Sequence, residues 1–152
     1  MFILLDTGPL GMLINPNPTS KTREIQLWMR SQLAKGIKMR VPEIADYEVR
    51  RNLILENLTD AISNLDALKT TIGYTPLNTD MMLMAANLWA AVRKFGLPTA
   101  PRERLDGDVI LAAQARITSG GSEEVIIATE NVGHLSRFDT ATVKAKGWKD
   151  IT

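Results

Sequence analysis

The sequence predicts an α/β fold: one domain over residues 1–152, with a short parallel β-sheet and α-helices on both faces. Three observations carry the prediction. Short apolar and β-branched runs alternate with longer stretches of helical period. The opening run, Phe2-Ile3-Leu4-Leu5, is continuously apolar, as a strand covered on both faces must be. Finally, 152 residues with 45% hydrophobic and 23% charged side chains suit one globular domain that can bury a core without crosslinks.

The elements follow in order. Phe2 to Leu5 is a strand that ends on Asp6. After Gly8-Pro9, Leu10 to Ile14 is a short helix, and Asn15-Pro16-Asn17-Pro18 is a loop. Thr19 or Ser20 caps a helix to about Ala34, with Ile25, Trp28, Met29 and Leu33 on one side. Gly36 stops it, and Ile37 to Val41 is a strand. Pro42 opens a helix to about Asn57. Another helix runs from Thr59 or Asp60 to about Thr71, and Ile72 to Leu77 is a third strand. Asn78-Thr79-Asp80 caps a helix to Phe95 whose apolar residues surround it, which predicts central burial. Gly96 to Arg104 is a loop, and Asp106 to Ile117 is a helix ended by Gly120-Gly121. Val125 to Ala128 is a strand, and Trp148 to Ile151 is expected as a last edge strand.

Composition narrows the function classes. The chain has no cysteine, which excludes disulfides, thiolate metal sites and cysteine nucleophiles. Its formal net charge is +1, so bulk charge makes no case for nucleic-acid binding. Met1 to Leu5 has neither the basic start nor the length of a signal peptide, and no apolar run approaches the roughly 20 residues of a membrane span. A cytoplasmic protein with no membrane contact is expected.

Three acidic residues sit where structure alone does not call for them. Asp6 follows the first strand, at the end where open α/β sheets bind ligands; its plain structural use is to cap the next helix. Glu48 shares a helix face with Ile44, Arg51, Asn52 and Leu55. A carboxylate between Ile44 and Leu55 needs a cation, either Arg51 or a metal. Asp46 and Glu43 point elsewhere and are expected on a solvated face. Asp108 stands above Leu111, Ala112 and Ala115, at the expected start of its helix, where Asp106 is the better cap. Three carboxylates from distant segments that converge would repel one another without a cation. Carboxylate ligands suit Mg²⁺ or Mn²⁺, which serve phosphoryl chemistry.

On these residues the chain resembles the PIN-domain nucleases, including the VapC-type toxins of toxin–antitoxin pairs. Ile3-Leu4-Leu5-Asp6-Thr7-Gly8-Pro9-Leu10 looks like the family's opening strand with its first metal-binding acid. Pro42 to Arg51 looks like the helix of the second acid, which falls on Glu48. Gly107-Asp108-Val109-Ile110-Leu111-Ala112-Ala113-Gln114-Ala115 looks like the third motif, with Asp108 as its acid. Val125 to Leu135 looks like the fourth, although many members carry an aspartate where this chain has Asn131 or His134.

The resemblance implies a metal-dependent ribonuclease that hydrolyses RNA phosphodiesters with metal-activated water. Asp6, Glu48 and Asp108 would be catalytic and would hold Mg²⁺ or Mn²⁺, with Asn131 and Asp106 as further candidate ligands and Glu130 as another source of negative charge. Thr7 and Thr129 would support the site. Arg51, Arg102 and Arg104 are the preferred contacts to the RNA backbone, with Arg50, Arg93 and Lys94 also considered. His134 is expected to cap or to lie on the surface. Partners implied are RNA, a small antitoxin protein and a second copy in a homodimer. Leu27 and Trp28 are candidate partner contacts, with core packing preferred for Trp28.

Three rivals are weighed. One is a PIN-like module that keeps RNA or protein binding and has lost cleavage, suggested by the altered fourth motif. Another is an aspartic protease of retroviral type, suggested by Asp6-Thr7-Gly8; that fold is all-β, and the amphipathic helices here argue against it. The third is a phosphatase or phosphoacceptor domain using Asp6 as nucleophile. It lacks a second aspartate two residues on and leaves Glu48 unexplained.

Overall fold

The computed structural model describes residues 1–96 and 102–152, the side chains of 102–104 excepted. Among the described residues five strands are present: β1 (Phe2–Leu5), β2 (Lys38–Pro42), β3 (Tyr74–Thr75), β4 (Val125–Thr129) and β5 (Val143–Gly147). All pair in parallel, in the order β3-β2-β1-β4-β5. The helices are α1 (Thr7–Ile14), α2 (Ser20–Ala34), α3 (Glu43–Leu55), α4 (Thr59–Ile72), α5 (Thr79–Lys94), α6 (Arg102–Ser119) and α7 (Val132–Leu135).

The strand order places a switch point beside β1. From β1 the chain winds outward through β2 and β3, then returns to the other side for β4 and β5. The carboxyl ends of β1 and β4 therefore flank the crevice in which such sheets take ligands. Asp6 leaves one end and Thr129 closes the other.

β1 divides the core by its alternation. Leu4 faces a cluster with Leu105, Leu111, Ala112 and Ala115 of α6 and with Phe138. Ile3 and Leu5 face a second cluster with Leu10, Ile25, Leu65 and Trp148. These large side chains are almost fully enclosed, and each contributes about 1.5–3 kcal/mol. The fully buried alanines of α6 remove bulk where that helix meets the sheet. α3 belongs to both layers, through Ile44 on one side and Ala45 on the other.

Several boundaries differ from the expectation. α1 begins at Thr7, because Asp6 caps it directly. β3 keeps only two residues, since Gly73 has φ +109 and is the C-cap of α4. α6 begins at Arg102, so Asp106 and Asp108 lie inside the helix rather than at its start. α5 is peripheral: Leu83 is 61% exposed and Met82 45%. The edge strand is Val143–Gly147, and Trp148–Asp150 is a 3-10 turn. Trp28 packs edge-on against Trp148 at 5.8 Å between ring centres and donates to the Ile151 carbonyl, which makes it a core residue; Leu27 is exposed. Among the described residues no helix is long and apolar enough to cross a membrane.

Candidate active site

Asp6 is placed by backbone bonds on both sides. Its N–H donates to the Ala128 carbonyl of β4, so β1 and β4 hold it at the crevice. Thr7 N–H donates to Asp6 Oδ1 at 2.7 Å, and the Thr129 hydroxyl donates to Oδ2 at 2.7 Å. That hydroxyl also accepts from Asn131 N–H at 2.8 Å. Thr129, fully buried, thus ties the start of the fourth motif to the first acid. Asp6 is the cap that plain structure would make it, and it also faces the cleft. Burial raises its pKa against the lowering effect of the two threonines.

Glu48 lies one helical turn beyond Ile44 on α3, so it looks across to α6. A Cβ built on Gly107 would stand 2.8 Å and 2.9 Å from the Glu48 carboxylate oxygens. Only glycine leaves that room. Burial raises the pKa of Glu48, and the charges of Asp6 and Asp108 raise it further against the pull of Arg51. Asp108 follows Gly107, and Arg137 approaches its carboxylate at 4.0 Å.

These residues meet in one cleft of about 280 Å³, lined by Asp6, Thr7, Gly8, Glu48, Asp108, Glu130 and Asn131. Among the described residues, those that share it come from four distant segments. Glu130 is held there by Trp148 Nε1–H at 2.9 Å, with Lys21 at 4.0 Å from its other oxygen. His134 Nδ1 lies 2.8 Å from Asn131 Nδ2, beside the cleft rather than in it.

Other candidates go elsewhere. Asp106 lines a groove between α5 and α6 with Met82, Ala86 and Trp89, away from the cleft. Asp46, expected on a solvated face, is buried and paired with Arg50 at 2.9 Å and Lys69 at 2.7 Å. Arg50 also meets Asp66 at 2.6 Å, so its guanidinium is engaged. Glu43 accepts from Leu77 N–H at 2.7 Å. Leu55, expected beside Glu48 on a covered face, is 78% exposed. Arg51 is exposed and lies over the Tyr47 ring at 5.1 Å; Arg93 lies over Trp89 at 5.1 Å, and Lys94 is exposed. Arg102 and Arg104 lie outside the described side chains.

Sequence reasoning missed Arg137 and the role of Gly107. Arg137 is one helical turn past His134, and that spacing was available as a signal. Gly107 was visible only as a motif letter, because what its missing Cβ admits comes from α3.

The donor chemistry of the cleft is oxygen throughout, and Glu48 carries like charge that a cation would relieve. Among the described residues, however, no three acidic or histidine side chains stand close enough together to hold a metal ion. The cleft offers oxygen ligands of the kind a hard cation takes, but among the described residues they are not gathered into a metal site.

No protein-family model matches the chain, and no curated protein matches it. Solved structures do. One is VapBC2 from Rickettsia felis bound to a DNA fragment from its promoter, at 17% identity and TM-score 0.70, covering 97% of this chain and 99% of that one. VapBC-1 from nontypeable Haemophilus influenzae matches at 16% identity and TM-score 0.70, covering 99% and 100%. DNA-bound VapBC from Salmonella typhimurium matches at 18% identity and TM-score 0.64, covering 97% and 98%. Agreement over nearly the whole length of each chain, on a five-stranded parallel sheet between helices, shows that this chain has the PIN-like fold.

Proposed function

We propose that this chain is an endoribonuclease that hydrolyses RNA phosphodiester bonds with a divalent cation, and that it is the toxin of a toxin–antitoxin pair. The observation that carries the reading is the meeting of Asp6, Glu48 and Asp108 in one small cleft at the switch point of the sheet. All-oxygen donors suit Mg²⁺ or Mn²⁺. When bound, the ion would activate water and offset the charge that builds on the phosphate.

The residues of the chain do the rest. Asp6, Glu48 and Asp108 would hold the ion, and Asn131 would add its amide oxygen, its nitrogen being turned to His134. Thr7 and Thr129 fix the Asp6 carboxylate so that both oxygens keep one orientation. In the hydrolysis a water oxygen bonds to phosphorus, the bond to a ribose oxygen breaks, and the proton ends on that oxygen. Arg51 and the arginines at 102 and 104 would hold the RNA backbone. Titration with Mn²⁺ and cleavage of single-stranded RNA in ¹⁸O-water test the reading. Label on the product phosphate, with no 2′,3′-cyclic end, is the expected result. Cyclic ends without label would remove water as the nucleophile.

The toxin part of the reading is supported by the fold shared with chains of VapBC complexes. A small antitoxin and a second copy of the chain are the partners it implies. Trp28 is occupied in the core, so a partner surface is better sought on α3, which exposes Tyr47, Ile54 and Leu55. A second reading, a PIN-like RNA- or protein-binding module without cleavage, is favoured by one observation: the carboxylates do not yet close around one point. Binding of RNA with no cleavage under Mg²⁺ or Mn²⁺ would select it.

A further inference from the structure

Gln114 is a polar side chain of α6 placed against α3 and β3. It is fully buried. Its Nε2–H donates to the Thr75 carbonyl at 2.8 Å, and its Oε1 accepts from Ile44 N–H at 3.3 Å. The two partners settle the orientation of the amide, because one is only an acceptor and the other only a donor.

The bond to Ile44 fills a gap that the sequence leaves. The first N–H groups of a helix have no partner within it. The N-cap of α3 is Pro42, which offers no side-chain cap, and Glu43 spends its carboxylate on Leu77. Ile44 is buried, so its N–H has no water to turn to and is capped from α6 instead. Gln114 therefore fastens the first turn of α3 and the end of β3 to α6.

The consequence reaches the cleft. Glu48 is four residues after Ile44 on the same face of α3. Asp108 lies on α6 with Gln114, next to the Gly107 on which Glu48 packs. The spacing of α3 from α6 sets the spacing of these two carboxylates. We propose that Gln114 is a positioning residue of the site, holding Glu48 against Asp108 by tying Ile44 N–H and Thr75 C=O to α6. The catalytic part of the proposal rests on the nuclease reading; the tie itself does not.

The test separates the two. The chain has no cysteine, so Asn52→Cys on α3 and Thr118→Cys on α6 take spin labels cleanly. The inter-label distance is compared in the parent, in Gln114→Met, which keeps the shape and removes both bonds, and in Gln114→Glu. A neutral glutamic acid can restore both bonds, so Gln114→Glu is measured at pH 5. A shifted or broadened distribution in Gln114→Met, faster exchange of the Ile44 amide, and a return toward the parent in Gln114→Glu are expected. In RNA cleavage, Gln114→Met should lower kcat and raise the Mn²⁺ needed for half activity, each by about tenfold to a hundredfold, with KM for RNA little changed. A folded Gln114→Met with the parent distance distribution overturns the tie. A changed distribution with parent kcat and metal requirement overturns the positioning role. Absence of cleavage by the parent is failure of the nuclease reading, and the distance comparison still decides the tie.

Discussion

At the scale of the residue, the site depends on one absent atom and one hydroxyl. Gly107→Ala places a methyl where the Glu48 carboxylate now lies. Alanine favours a helix by about 1 kcal/mol over glycine, so stability should hold or rise. Activity should fall at least tenfold as Glu48 is displaced, a split that thermal melts and cleavage rates on one preparation reveal. Thr129→Val removes the donor to Asp6 Oδ2 and the acceptor of Asn131 N–H. A cost of about 1–3 kcal/mol in chemical denaturation is expected, because the half-buried partners lose their bonds to a buried hydroxyl. Of the cleft residues, Asp6, Glu48 and Asp108 were legible in the sequence, since a charge on a strand end or an apolar face announces itself. Asp46 was not. Its partners Arg50 and Lys69 include one that is 23 residues away, and the face it occupies is covered by α4, which no local pattern records. Leu55 failed the opposite way: its period is that of a core residue, but α3 runs past its neighbours there.

At the scale of the element, α3 is the part that must be held. Asp46 clamps it to α4 through Lys69, and Gln114 ties its first turn to α6. Asp46→Asn breaks a buried pairing, takes the carboxylate from Lys69 and leaves Arg50 with Asp66 alone. It should cost about 3 kcal/mol in urea unfolding, much more than a surface exchange. An unchanged midpoint would mean that the ion pairs of Asp46 do not secure α3. The elements themselves were largely legible, because the helices carry their period and caps. The edge strand was not found where it lies. Val143-Lys144-Ala145-Lys146 alternates as a half-buried strand does, with valine and alanine inward and the lysines outward. The aromatic Trp148 drew the expectation downstream, although it turns inward to meet Trp28. The early start of α6 escaped because Asp106 is a good cap by type.

At the scale of the molecule, the order β3-β2-β1-β4-β5 brings acids from distant segments to one crevice. Their charge has a consequence for the whole fold. Asp6 and Glu48 have raised pKa values in the folded chain, so the native state binds protons more tightly than the unfolded one. Without metal, stability from these groups is present at low pH and is lost as pH rises through their folded pKa values, upward from the ordinary carboxylate range. A cation that binds the ionised cluster acts in the opposite sense. Mn²⁺ should therefore raise Tm more at pH 7.5 than at pH 5, and a shift independent of pH would place the ion elsewhere.

The central claim is metal-dependent RNA cleavage by the Asp6, Glu48 and Asp108 cluster, and one experiment meets it directly. Mixed single-stranded RNA is incubated with the chain in Mg²⁺ or Mn²⁺, in EDTA, and with Asp108→Asn shown to be folded. Cleavage that needs the metal and falls at least a hundredfold in Asp108→Asn is the expected result. No cleavage by the folded parent in either metal, or cleavage that survives Asp108→Asn or EDTA, contradicts it.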